Sequence, residues 1–183
     1  MESKCHLMIE GQRCSGKTTL TLEMSKFFFL KGYTVSMIPE WSFNNNGPSN
    51  PEEWIKAVFE ERLRLQRIAF GSNADIVVID RGFMGLEAFV LAEHPEYEEL
   101  LMRLMPKELF FPEVFVYLTA NREELKRRAL RRKGNNCLNR ETIDCYYMDL
   151  FSKYKIEPLR FNTSDVDKEE ILQSIWLKVK SFL

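Results

Sequence analysis

A glycine-rich stretch near the amino terminus places the strongest constraint on the fold. GQRCSGKTT starts at Gly11, directly after the apolar run CHLMIE and directly before a long segment of helical period. It matches the pattern G-x-x-x-x-G-K-[ST] through Gly11, Gly16, Lys17 and Thr18. In the structures that carry this pattern, a strand ends at the loop and a helix begins in it. The stretch therefore predicts a strand, a loop and a helix in that order.

The chemistry expected of this loop is phosphate binding. Glycines let the backbone curl so that successive N–H groups face a phosphate, and the helix amino terminus adds partial positive charge. We expect Lys17 to contact the β- and γ-phosphates and the Thr18 hydroxyl to bind Mg²⁺. The expected ATP-binding set also includes Cys14, Ser15 and Thr19. The alternative is a glycine turn with an exposed lysine, but motif and context together favour a nucleoside-triphosphate site.

Short apolar runs alternate with longer segments along the rest of the chain. The apolar runs are CHLMIE, YTVSMI, DIVVID, VFVYLT and IEPLRFN, and a segment of helical period follows each of them. Strands that alternate with helices predict a parallel sheet covered on both faces. We expect a single three-layer α/β/α domain over residues 1–183, with about five parallel strands.

Charge and composition argue against several other classes of protein. The net charge of −1 makes no electrostatic case for a nucleic-acid or membrane partner. The start MESKCHLMIE is too short and too acidic for a secretory signal. The four cysteines lie apart, with no C-x-x-C pair, so we expect reduced thiols in a cytoplasmic protein.

Polar residues follow the predicted strands where ligands of such sheets bind, outside the carboxyl ends. These residues are the loop Gly11–Thr18, Glu40, the pair Asp80-Arg81 and the stretch Asn162–Ser164. We expect all four to converge on one edge of the sheet.

Asp80 and Arg81 end the buried run DIVVID and begin the next segment. A carboxylate beside a phosphate loop is placed to hold Mg²⁺, directly or through water. The alternative is that Asp80 caps the following helix. The guanidinium of Arg81 suits a phosphate or the oxygen under attack, and its alternative is a surface salt bridge.

The stretch IEGQRCSGKTTLTLEMSKFFFLKGYTV resembles the opening of thymidylate kinases, with an acid before the loop and a helix that ends at Gly-Tyr. The Asp80-Arg81 pair resembles the aspartate-arginine motif of that family and the related motif of deoxynucleoside kinases. The resemblance extends over nearly the whole chain, and outside the phosphate loop its motifs are moderately specific. It implies a layered P-loop kinase fold, ATP, Mg²⁺ and phosphoryl transfer to a nucleoside or nucleoside monophosphate.

Glu40 resembles the acid that follows strand two in deoxynucleoside kinases and accepts the proton of the attacking hydroxyl. A hydroxyl acceptor benefits from such a base, whereas a phosphate acceptor is already anionic. A solvated loop acid or a helix cap is the alternative. Thymidylate kinases carry an Arg-Glu-Pro-Gly-Gly stretch near this point, and this chain has PEWSFNNNG. The missing arginine and paired glycines put a thymidylate substrate in doubt.

Further acceptor-side candidates lie around and after this loop. Trp41 and Phe43 are expected to stack on a planar base or to pack under the loop, whereas we assign Trp54 to the core. The spacing of FEERLRLQ puts Phe59, Arg62 and Gln66 along one side of a helix. The resemblance makes Arg62 and Gln66 contacts to a base or phosphate, and solvated helix residues are the alternative.

A basic run, REELKRRALRRKGNN, follows the fourth predicted strand. Arg127 and Arg131 lie four apart on one helical face, and so do Arg128 and Arg132. The family resemblance predicts a lid over about residues 127–138 that closes over the triphosphate, with Arg127 and Arg131 as its catalytic arginines. The alternative is a solvated face balanced by glutamates. The run is short and lacks interleaved aromatics, which argues against nucleic-acid binding.

The final strand and its loop resemble the part of deoxynucleoside kinases that holds adenine. Backbone around Asn162–Ser164 is expected to contact the base of ATP, whereas Ser164 or Asp165 could equally cap the last helix. The expected partner is a small phosphate acceptor, without nucleic acid or membrane. The oligomeric state stays open, with a homodimer as one option.

Three functions are compatible with these patterns. The first is a kinase of nucleosides or nucleoside monophosphates. The second is a kinase of another small molecule, such as an antibiotic, sugar or vitamin, on the same scaffold. The third is a nucleotide-binding regulator without an acceptor site. The chain has no N-K-x-D guanine signature and it carries the arginines expected of a lid, so the first two are favoured.

Overall fold

The structure is a computed structural model that describes residues 4–41, 47–106, 109–131 and 140–183. Its strands are β1 (Cys5–Gly11), β2 (Val35–Ile38), β3 (Ile76–Asp80), β4 (Val114–Thr119) and β5 (Leu159–Asn162). Its α-helices are α1 (Lys17–Leu30), α2 (Pro51–Phe70), α3 (Phe83–Glu93), α4 (Glu98–Leu104), α5 (Arg122–Arg131), α6 (Arg140–Lys153) and α7 (Lys168–Lys180). A short 3₁₀ turn, Pro95–Tyr97, precedes α4.

The five strands form one sheet in the order β2-β3-β1-β4-β5, and every described pair is parallel. β1 is central, and all seven of its residues are buried. Because the strands are parallel, the loops that follow β1 and β3 open at the same edge. The three-layer α/β/α fold with a five-stranded parallel sheet is therefore confirmed.

Helices cover both faces of the sheet because side chains alternate along each strand. Leu7 and Ile9 of β1 point to one face and pack in a cluster with Phe28 of α1 and Ile175 of α7. Met8 points to the other face, where a second cluster draws on residues of α3 and α6. The central strands are buried from both sides, which explains why they read as continuous apolar runs.

The helix boundaries follow from local capping. Asn50 caps α2, because its side chain accepts hydrogen bonds from the N–H groups of Glu52 (2.9 Å) and Glu53 (3.4 Å). Asp167 caps α7 by accepting from the N–H of Glu169 at 2.8 Å. The expectation that Ser164 or Asp165 caps this last helix is wrong.

Helix α4 was not predicted from the sequence. This helix buries Leu100 and Leu101 in a third apolar cluster with Val58 and Phe59 of α2. A helix of seven residues is too short for a clear period, so packing rather than propensity decides it. No helix in the described part of the chain is long and apolar enough to cross a membrane.

Candidate active site at the carboxyl edge of the sheet

The phosphate loop leaves β1 through a glycine that tolerates no side chain. Gly11 has φ 139°, and a Cβ placed on it would lie 2.1 Å from the carbonyl oxygen of Leu118 in β4. Gly16, at φ 101°, stands at the amino end of α1. Cys14 adopts φ 65°, a left-handed conformation that a residue with a Cβ rarely takes. The loop backbone is therefore held in the curled form that its glycines predicted.

Lys17 folds back over this loop. Its side chain is buried, and its Nζ donates a hydrogen bond to the carbonyl oxygen of Gln12 at 2.7 Å. Burial, and next the nearby charge of Arg81, lower the pKa of Lys17 to about 7. Arriving phosphate oxygens would favour the charged ammonium and counteract this lowering. Thr18 and Thr19 are exposed in the first turn of α1.

Asp80, at the end of β3, meets the first turn of α1. Burial, as the largest contribution, raises the pKa of its carboxyl group, whereas the nearby Thr18 side chain lowers it. The residue is only 1% exposed, and its Oδ1 has no hydrogen-bond partner within the described ranges. Asp80 does not cap α3: the N-cap is Gly82, which makes no side-chain cap bond. That alternative interpretation is wrong.

Thr18 and Asp80 suit a magnesium ion. They bring together a hydroxyl and a carboxylate, and the carboxylate has one buried oxygen that the described residues leave unpaired. Mg²⁺ in nucleotide sites is held by one or two carboxylates, substrate phosphates and water. The donor set therefore fits Mg²⁺ without a larger cluster of acids.

Arg81, directly after Asp80, faces Glu40 across the site. Its Nε lies 3.2 Å from Glu40 Oε1, and an η-nitrogen of Arg62 lies 3.8 Å from the same oxygen. The Arg81 side chain is 16% exposed, so this is not the surface salt bridge of the alternative reading. Arg62 is buried and donates a hydrogen bond to the carbonyl oxygen of Gly82 at 2.8 Å. Glu40 is therefore an exposed loop acid that is held in ion pairs, and it is not the cap of α2, which is Asn50.

The charges around Glu40 decide its protonation. Burial by itself raises the pKa of Glu40, but Arg81, then Lys17 and Arg62, outweigh burial and hold the pKa below its ordinary value. The carboxyl group is therefore ionised at neutral pH, the state in which it accepts a proton.

Glu10 is a buried carboxyl group that the sequence marked only as an acid before the loop. It is fully buried in β1 and its Oε1 accepts hydrogen bonds from the N–H of Gly82 at 2.8 Å and of Gly85 at 3.3 Å. Its Oε2 accepts from the hydroxyl of Tyr147 in α6 at 2.9 Å. Burial dominates and raises the pKa of Glu10, although Arg81 opposes this effect. A glutamate inside an apolar strand is the sequence signal of such a contact.

A second polar contact joins α6 to the phosphate loop. The Gln12 side-chain amide donates a hydrogen bond to one carboxylate oxygen of Asp144, and the Tyr117 hydroxyl donates to the other. No sequence pattern links these residues, because they lie on three separate elements.

Within the described part of the basic run, Arg128 is the arginine that reaches the phosphate loop. An η-nitrogen donates to the carbonyl oxygen of Cys14 at 3.3 Å and to Thr163 Oγ1 at 2.9 Å. The two arginines chosen from the sequence lie elsewhere. Arg127 is 52% exposed and bonds Glu124, and Arg131 is exposed at the end of α5. The rest of the expected lid, residues 132–138, lies outside the described residues.

The loop after β5 is hydrogen-bonded to the phosphate loop. Thr163 Oγ1 donates a hydrogen bond to the carbonyl oxygen of Ser15 at 2.9 Å. Ser164 Oγ accepts from the N–H of Asn121 at 2.8 Å, and the Asn162 side chain bonds that of Asn121 at 2.8 Å. This stretch therefore lies beside the phosphate loop, as the strand-end rule predicted.

Three of the acceptor-side candidates lie in or against the protein interior. Phe59 is 1% exposed inside the third apolar cluster, and Trp41 and Trp54 pack against that cluster. Gln66 is buried and donates to the carbonyl oxygen of Phe110, in the segment that leads into β4. That segment lies at the amino edge of the sheet, so Gln66 does not join the residues around Glu40. Phe43 lies outside the described residues.

Solved structures identify the fold. A deoxyadenosine kinase from M. mycoides, with dCMP and a flexible dCDP bound, has a TM-score of 0.69 at 14% identity over 96% of this chain and 99% of its own. A thymidylate kinase from Candida albicans has a TM-score of 0.66 at 16% identity over 98% of this chain and 92% of its own. The chain has the fold of P-loop nucleoside and nucleotide kinases. The YorR protein of Bacillus subtilis, in complex with phosphorylated GDP, has a TM-score of 0.54 at 20% identity over 96% and 95% of the two chains.

No protein-family model and no curated protein matches the sequence. The structural likeness confirms the expected fold class.

Proposed function

We propose that this protein is a kinase that transfers the γ-phosphoryl group of ATP to a hydroxyl group of a nucleoside. The observation that carries the proposal is the position of Glu40, whose Oε1 lies 3.2 Å from Arg81 Nε and 3.8 Å from an η-nitrogen of Arg62. These positive charges lower the pKa of Glu40 and favour its ionised form. A base at this place serves an acceptor that must lose a proton. The fold likeness to a deoxyadenosine kinase supports the same class of acceptor.

The reaction requires one base and several positive charges. The acceptor hydroxyl oxygen forms a bond to the γ-phosphorus, while the bond from the γ-phosphorus to the β–γ bridging oxygen breaks and ADP leaves. The hydroxyl proton passes to Glu40. Arg81 then stabilises the charge that develops on the transferred group, because a preorganised guanidinium needs no reorientation during the step.

On the nucleotide side, the proposal assigns ATP to the phosphate loop. Backbone N–H groups from Gly11 to Thr18 and the ammonium of Lys17 bind the phosphates, and the loop at Asn162–Ser164 contacts adenine. Thr18 and Asp80 would hold Mg²⁺. When bound, that ion neutralises charge on the β- and γ-phosphates. Arg127 and Arg131 remain candidates for contacts to the triphosphate, and Arg128 joins them because it reaches the phosphate loop.

The test is ADP release with Mg²⁺–ATP and a panel of nucleosides, nucleoside monophosphates and other hydroxylated metabolites. We expect turnover with a nucleoside, and a loss of about 10²- to 10⁴-fold in Glu40→Gln, since general bases contribute that much. ADP binding, measured by calorimetry, should stay unchanged in this variant. Glu60→Gln is the matched control, because it makes the same change at an exposed position on α2.

A nucleoside monophosphate is the second candidate acceptor. The observation that favours it is the pair of guanidinium groups, Arg62 and Arg81, which converge within 4 Å of Glu40 and would also bind a phosphate. Turnover only with monophosphates, tolerant of Glu40→Gln, would establish this alternative. Stimulation by another metabolite alone, or by no compound in the panel, would overturn the nucleoside proposal.

A further inference from the structure

Arg81 has an unfavourable backbone conformation that hydrogen bonds from other residues must stabilise. Its φ of 69° lies in the left-handed region, which is unfavourable for a residue with a Cβ. Its own N–H donates to the carbonyl oxygen of Ile9 at 3.0 Å, and the next N–H, that of Gly82, donates to Glu10 at 2.8 Å. Two consecutive residues of β1 thus hold the turn that carries Arg81.

Glu10 also serves as the cap of α3. Gly82 provides no side chain for this purpose, and the first turn of α3 contains no acidic residue. The same oxygen of Glu10 accepts from Gly82 and Gly85, two N–H groups at the start of the helix. A carboxylate at a helix amino terminus is electrostatically favourable, so Glu10 fixes both the turn and the helix.

A hydrogen bond from Tyr147 holds the Glu10 carboxylate in place. Its hydroxyl donates to Glu10 Oε2 at 2.9 Å, and its ring is buried between Tyr117 and Phe151. Gly85 lies close to both side chains, because a Cβ placed on it would be 2.8 Å from Glu10 Oε2 and 2.8 Å from Arg81 Cγ. Since the N–H of Gly82 donates to Glu10, a displacement of Glu10 would displace the turn that carries Arg81.

We infer that Glu10 and Tyr147 are positioning residues for phosphoryl transfer, because they hold the turn that presents Arg81 to Glu40 and connect it to α6. This inference rests on the proposed function, in which Arg81 and Glu40 act on the reacting groups. α6 is the helix that follows the expected lid segment, so the contact also joins the lid side of the chain to the acceptor site.

The test compares two tyrosines that make similar contacts. Tyr154, just after α6, bonds the buried Glu87 of α3 at 3.1 Å, and thus joins the same two helices without touching the Arg81 turn. Tyr147→Phe and Tyr154→Phe each remove one hydroxyl. We expect Tyr147→Phe to lower kcat roughly 10- to 100-fold with little change in the KM for ATP, since small displacements of catalytic groups cost that much. Tyr154→Phe should leave kcat unchanged.

Thermal unfolding of both variants separates stability from positioning. If both lose stability to a similar extent and only Tyr147→Phe loses kcat, the positioning role stands. Equal kcat values in the two variants, or an equal loss in both, would overturn it.

A second readout does not depend on turnover. The Arg81 Nε–H signal in the nitrogen-15 NMR spectrum, assigned by its disappearance in Arg81→Lys, should shift in Tyr147→Phe and stay in place in Tyr154→Phe. A signal that is unchanged in Tyr147→Phe contradicts the inference. If the wild type turns over no nucleoside or nucleotide, the proposed function fails, and this spectrum decides by itself whether Tyr147 orders Arg81.

Discussion

The two halves of the candidate site are built in different ways. The donor side, residues 11–18 with Arg128 and Thr163, is held mainly by backbone groups: glycine conformations, carbonyl oxygens and N–H groups. The acceptor side, Glu40 with Arg62 and Arg81, is held by charged side chains that lie far apart in the sequence.

In the proposed reaction, this difference would separate the binding of a common cosubstrate from the choice of an acceptor. A backbone cradle depends on the shape of the loop and on few side chains, so it recognises phosphate in many sequences. Charged side chains fix orientation and protonation, and each can change without disturbing the loop. We therefore expect substitutions on the donor side to affect folding and nucleotide binding, and those on the acceptor side to affect turnover.

The largest effect is expected from Gly11→Ala. The new Cβ would lie 2.1 Å from the Leu118 carbonyl oxygen in the neighbouring strand, and φ 139° adds strain. We expect a loss of more than about 4 kcal/mol in the free energy of unfolding, measured in denaturant, together with loss of ADP binding. Gly32→Ala is the control, because Gly32 also has a positive φ of 91° but nothing lies within 4 Å of a Cβ placed on it. We expect this variant to lose about 1–2 kcal/mol in the free energy of unfolding. Similar losses in both variants would show that the contact with β4 is unimportant.

A smaller effect on the donor side distinguishes two neighbouring arginines. Arg128→Ala removes donors to Cys14 and Thr163, and we expect Mg²⁺–ADP to bind about ten-fold more weakly by calorimetry. Arg127→Ala removes an exposed side chain that bonds Glu124, so no measurable change in ADP affinity is expected. A larger loss of ADP affinity in Arg127→Ala than in Arg128→Ala would contradict this assignment.

The smallest expected effect is a shift in the pH dependence of kcat/KM when a charge on the acceptor side is removed. In the proposed reaction Glu40 accepts the proton only when ionised, so we expect kcat/KM to fall as pH drops through its pKa, which lies below the ordinary 4.5. Arg81→Ala removes the strongest opposing charge and leaves the effect of burial, so the acid limb should move to higher pH. Arg64→Ala, on the exposed face of α2, should leave the limb in place. An unchanged limb in Arg81→Ala would mean that Glu40 is not the titrating base.

Much of the fold was predictable because its signals are local. The segment PEEWIKAVFEERLRLQRIAF coincides with α2, and DIVVID contains β3, since helical period and apolar runs depend on neighbours in sequence. The phosphate loop was predictable for the same reason: its chemistry lies in eight consecutive residues.

For the acceptor side, the sequence predicted which residues take part but not how they contact one another. The strand-end rule indicated Glu40 and Arg81. It could not indicate that Arg62 of α2 approaches Glu40 or that Glu10 of β1 bonds the turn after Arg81. Arg127 and Arg131 lie four residues apart on one helical face, and Arg128 and Arg132 lie four residues apart on another. The sequence therefore could not show which of the two faces contacts the phosphate loop. Gln66 shares a helical face with Arg62, but the extra turn carries it away from the site.

The central position of β1 also has a kinetic meaning. Its neighbours in the sheet are β3 and β4, so the site needs strands that begin about 70 and 110 residues after the chain's first strand. Pairings over such distances form late, after the loop-closure entropy of the intervening chain has been overcome. A nucleotide can then bind only a chain whose sheet is essentially complete. Its free energy of binding should consequently act on the rate of unfolding and leave the rate of folding almost unchanged.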